Sequence, residues 1–63
     1  MTVEVSREVA DAVAHALSNA LENGHDFKGW SDEQIADDML AFDADVGEMP
    51  RDQVVAAVNG LRS

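Results

Sequence analysis

The sequence predicts an all-α fold, a small three-helix domain, and three observations carry that expectation. Ser31 and Gln34 form the serine-x-x-glutamine pattern of a capping box. Apolar residues recur at intervals of three and four from Val5 to Leu21, from Ile35 to Phe42 and from Val54 to Leu61. Between these stretches stand helix punctuators: Gly24 and Gly29 in the first gap, and Pro50, suited to a first helical position, after the second. We therefore expect helices over residues 3–23, 31–43 and 50–61, the second and third forming a helix-loop-helix, within a single helical domain covering residues 1–63.

In the first helix Val9, Val13, Ala16, Leu17, Ala20 and Leu21 make the core stripe, with Val5 extending it one turn upstream. Thr2 or Ser6 can serve as its N-cap, and the choice decides whether the helix gains a turn. The alanines at 10, 12, 14, 16 and 20 favour the helix and leave a smooth flank for close approach of another one. Gly24 stops it. In the connection that follows, Phe27 and Trp30 are expected to pin the loop onto the first helix. The alternative is that one of them stands exposed as an anchor in a binding surface.

The second helix is entered through Ser31, with Trp30 and Ile35 spaced as a hydrophobic staple and Asp32 and Glu33 in the first turn, where the helix dipole favours acids. Ile35, Met39 and Phe42 share one stripe, which Ala36 and Leu40 widen. Asp43 and Asp45 come after it, at the helix end where the dipole opposes negative charge. They are read as a solvated rim or as residues kept for a contact. The third helix buries Val54, Val55, Val58 and Leu61, and Gly60 weakens its last turn. The expected core is Val9, Val13, Leu17, Leu21, Phe27, Trp30, Ile35, Met39, Leu40, Phe42, Val54, Val58 and Leu61.

Sixty-three residues bury about 60% of the surface of the unfolded chain, so a domain of this size needs well-packed helices, self-association or a partner. The absence of cysteine removes disulfides and thiolate chemistry. No apolar run reaches the roughly 20 residues that span a bilayer, and the N-terminus has no signal-peptide pattern, so a cytoplasmic protein is the expectation. Thirteen acids against four bases give a net charge of -9. That field repels nucleic acid and anionic membranes and favours a protein partner with a basic surface. With 46% apolar residues at helical spacings, the chain is folded rather than a disordered acidic tail.

Around the second connection, Phe42-Asp43-Ala44-Asp45-Val46-Gly47-Glu48-Met49 between two helices resembles the helix-loop-helix of a calcium-binding EF-hand. The resemblance implies Asp43 and Asp45 as first and third ligands, a glycine at the sixth loop position and a bidentate glutamate at the twelfth. Counted without a gap, Gly47 falls at the fifth position and Val54 at the twelfth; a one-residue gap brings Gln53 there instead. This degenerate EF-hand-like metal binding is the third functional reading.

Nothing in the chain points to catalysis. His15 shares a helix face with Asp11, without a second histidine at helical spacing, and His25 stands beside Asp26 in a loop. Ser6, Ser18, Ser31 and Ser63 lack the base and oxyanion site of a nucleophile, and the Asp-Ser-Leu triplet of acyl carriers does not occur. We expect no enzyme activity and no cofactor. The leading expectation is a non-enzymatic protein-binding module, an inhibitor or regulator that docks the acids of the second helix and the next turn on a basic, nucleic-acid-handling protein. Seven acids lie within the seventeen residues 32–48, and Asp37, Asp38, Asp43, Asp45 and Glu48 are the expected contact residues. The alternative is an assembly or adaptor subunit with an apolar contact, including a homodimer through the first helix.

Overall fold

The computed structural model describes residues 4–62. Three helices follow one another: α1 over Arg7–Glu22, α2 over Asp32–Phe42 and α3 over Arg51–Arg62. Of the two caps open for α1, Ser6 is the one seen: its backbone is extended and its hydroxyl accepts the Val9 N–H. Glu4 and Val5 thus precede the helix, which begins later than expected; residue 3 and Thr2 lie outside the described residues. The capping box at α2 is complete. Gln34 N–H donates to Ser31 Oγ at 3.2 Å and Ser31 N–H donates to Gln34 Oε1 at 2.9 Å. Pro50 sits one residue before α3, its carbonyl accepting the Val54 N–H at 3.1 Å, so it occupies the cap rather than the first helical position.

α3 is the central helix, packing against both α1 and α2. The buried cluster joins Val9, Val13 and Ala16 of α1 to Ile35, Ala36 and Met39 of α2 and to Val54, Ala57 and Val58 of α3. Phe27 and Val46 plug it from the two connections. The alanines work as spacers: Ala16, Ala36 and Ala57 are buried, and Ala12 and Ala20 pack on the cluster. Much of the flank expected to be free for a second copy is therefore used within the chain.

Four expected core residues are exposed instead. Leu21, Trp30, Phe42 and Leu61 show 54%, 39%, 84% and 47% of their surface. At about 100° per residue, the buried arc of α2 runs from Ile35 through Met39 to Ala36, and Phe42 falls about 20° outside it, at the final residue of the helix. Leu21 likewise stands about 120° from Val9, at the margin of the α1 stripe. Leu61 is on the α3 stripe but one residue from the end of the helix.

The two connections are built differently. In the first, Gly24 and Gly29 take φ values of 85° and 84°, and Phe27 joins them in the left-handed region at 55°. That conformation costs a bulky residue on the order of 1–3 kcal/mol, which burial of the ring offsets. In the second, Asp43 caps a single turn: its Oδ1 accepts the N–H groups of Asp45 and Val46 at 2.9 and 3.2 Å, and its carbonyl accepts the Gly47 N–H at 2.9 Å. A Cβ on Gly47 would meet the Asp43 and Leu40 carbonyl oxygens at 3.2 and 3.3 Å, so the turn closes tightly against the end of α2.

Candidate functional site

α2 has one face packed on α3 and another that borders open concavities. Toward α3 it is fastened by charge at its start and at its middle, to the two ends of α3. Near its start, Asp32 accepts from Arg62 Nη1 and Asn59 Nδ2, both at 2.8 Å. One and a half turns later, Arg51 forks onto Asp37, with Nε at 2.7 Å from Oδ1 and Nη2 at 3.3 Å from Oδ2. The guanidinium holds the Asp37 carboxyl below its ordinary range, chiefly by the hydrogen bond, and Asp37 in turn raises Arg51. Both partners are exposed, so water and salt weaken the pair. The Asp32 cluster was not foreseen, because a first-turn acid has a sufficient explanation in the helix dipole alone.

Away from α3 the same helix borders an open groove of about 680 Å³. Trp30, Ala41 and Phe42 supply its apolar walls, and Gln34, Asp37, Asp38 and Lys28 its polar ones. Trp30 is braced edge-on by the buried Phe27, with ring centroids 5.2 Å apart, so the strained loop residue holds the exposed indole in place. Asp38 is half-buried, and among the described residues no hydrogen bond or ion pair takes up its carboxylate. Past Phe42 and Asp38 the groove continues as a smaller cleft of about 160 Å³ between α1 and α2, with Ala16, Ala20 and Met39 along it.

The five expected contact residues separate accordingly. Asp37 and Asp38 line the groove together, Asp37 already neutralised by Arg51. Asp43 reaches the adjoining cleft, but its side chain is committed to the backbone of its own turn. Its position is thus explained by local hydrogen bonding, a role not foreseen from the helix dipole. Asp45 and Glu48 are exposed on that turn and line neither concavity. The exposed aromatics Trp30 and Phe42, both expected in the core, are the site residues that sequence reasoning placed wrongly. Of the two alternatives for the aromatics, Phe27 is buried as the loop's pin and Trp30 is exposed.

The other candidate chemistries find little support in the geometry. Among the described residues no three His, Asp or Glu side chains are grouped to hold a metal ion. In the EF-hand-like segment Asp43 points to amides, and Gln53 Oε1 accepts the Ser6 N–H at 3.1 Å, far from any loop ligand role. His15 borders a shallow depression with Asp11 and Ser18 on α1, without a hydrogen bond among the three. His25 is exposed, its ring 6.1 Å from that of Phe27. No described helix is long and apolar enough to cross a membrane. No family model matches the chain, and neither a curated protein nor a solved structure matches it significantly.

Proposed function

We propose that the protein is a non-enzymatic binding module, an inhibitor or regulator, that docks α2 and its groove on a basic surface of a partner protein, of the kind that handles nucleic acid. One observation carries this reading: an unpaired carboxylate, Asp38, lies in the same groove as two exposed aromatic side chains, Trp30 and Phe42. Aromatic anchors beside charge are the composition of binding hot spots, in which a few large side chains carry most of the energy. The net charge of -9 adds fast, salt-sensitive association with a basic partner and works against direct contact with nucleic acid or an anionic membrane. Asp45 and Glu48 extend the negative field along the turn without taking part in the groove.

The test is capture from host lysate at low and high salt, with wild type and with the combined variant Asp38→Asn, Asp45→Asn, Glu48→Gln. Asp43 is left unchanged because it holds the turn. The expected result is a basic protein retained at low salt, released at high salt and lost by the variant. Retention that ignores both salt and the substitutions contradicts the proposal. It would favour the second reading, an assembly or adaptor subunit, whose support is the apolar cleft of about 270 Å³ where Val5 and Ala10 face Ala56, Ala57, Gly60 and Leu61.

A further inference from the structure

Resting on the docking reading above, we infer that the groove is an arginine-selective site: the side chain that enters it is an arginine on a basic segment of the partner protein, stacked against Trp30 and Phe42 with its guanidinium on Asp38. The unclaimed carboxylate inside the groove points first to a cation. Of its two carboxylates, Asp37 is occupied on both oxygens by Arg51, whereas Asp38 is unclaimed among the described residues and half-buried. A cation seated there completes the pairing that the chain makes for Asp37 itself.

The aromatic walls decide which cation. Phe42 is 84% exposed at the end of α2, and Trp30 is held by Phe27 from behind, so both rings are available to a ligand. A guanidinium is planar, weakly hydrated and able to stack on a ring while its edge forks onto a carboxylate; an ammonium is a compact, strongly hydrated point charge. Lys28 lines the same groove and repels any incoming cation. Coulomb attraction to Asp38 alone is therefore partly cancelled, and the occupant must gain from stacking as well. Arginine meets both conditions and lysine meets one.

Trp30 is the only tryptophan, so its emission reports on the groove directly. The experiment titrates the full chain with two amphipathic helical peptides of equal length and charge, one carrying arginines and the other lysines at the same positions. We expect the arginine peptide to change Trp30 emission and to bind about two- to fivefold more tightly, the range a cation stacked at an exposed ring contributes. Phe42→Ser, folded as judged by circular dichroism, should bring the two affinities together, and Asp38→Asn should weaken the arginine peptide several-fold. Equal affinity of the two peptides for the wild type overturns arginine selectivity and leaves basic-surface docking standing. Binding with unchanged Trp30 emission overturns the placement in this groove. Failure of both peptides to bind at low salt overturns the docking reading and this inference with it.

Discussion

The two seams that α2 makes with its neighbours are a study in contrast. Against α3 it is closed: Ile35, Ala36 and Met39 meet Val54, Ala57 and Val58, all buried, and both ends of α3 are tied to it by the Asp32–Arg62 and Asp37–Arg51 pairs. Against α1 it is open: Phe42 stands in solvent, a cleft runs past Ala16 and Ala20, and the carboxylate of Asp38 is unpaired among the described residues. Small side chains are used in both places, but with different results. Ala36 and Ala57 are buried where α2 and α3 close together, whereas Ala16, buried as well, and the half-buried Ala20 border the cleft toward α2. The packed contacts and the proposed recognition surface thus lie on opposite sides of one eleven-residue helix.

Substitutions should separate the two seams. The largest effect is expected at the closed one: Ile35→Ala removes a fully buried side chain and should cost about 2–5 kcal/mol, comparable with the whole stability of a domain this small. Urea denaturation followed by circular dichroism measures it, and a loss under about 1 kcal/mol would show that the seam is not the main source of stability. Next comes the turn that ends α2. Asp43→Ala removes an acceptor shared by two amides and should cost about 1–2 kcal/mol, in the range of a lost helix cap, whereas Asp45→Ala should change little. Equal effects at the two positions would deny Asp43 its structural role.

At the open seam the expectation reverses. Phe42→Ser should move stability by no more than about 0.5 kcal/mol while weakening partner binding, because an 84% exposed ring has little to lose on unfolding. Large destabilisation would mean that the ring packs inward. The smallest effect belongs to the exposed ion pair. The Asp37 carboxyl is held below its ordinary value of 3.8, so the pair stabilises the fold above that pH and the contribution disappears as pH falls through the lowered value. An acid titration of the unfolding midpoint should therefore flatten for Asp37→Asn below pH 4 relative to wild type, and added salt should shrink the difference between them. A steeper acid loss in the variant would reverse the sign.

Much of the closed seam was legible in the sequence. The capping box at Ser31 and Gln34, the Ile35 and Met39 stripe of α2 and the valine stripe of α3 are local patterns, and local hydrogen bonds and helical periodicity suffice to read them. The open seam was not, because it depends on where the buried arc of each helix is centred. Choosing the largest side chains placed that centre near Phe42 and Leu21; the packed helices place it toward Ala36 and Ala16, where close approach is cheapest. Of the groove residues, charge alone points to Asp38 in the sequence, and an exposed Trp30 enters only as an alternative. Asp43 illustrates a missed local rule, since an aspartate two and three residues before free amides is a turn cap before it is a ligand.

Chemical-shift mapping of the labelled protein against the arginine-bearing peptide tests the assignment of recognition to the open side most directly. The account expects the shifted amides and the indole N–H to cluster on Lys28 to Trp30, Asp37, Asp38, Ala41 and Phe42. Shifts gathered instead on Asp45 and Glu48, or on the cleft formed by Val5, Ala56 and Leu61, would contradict it.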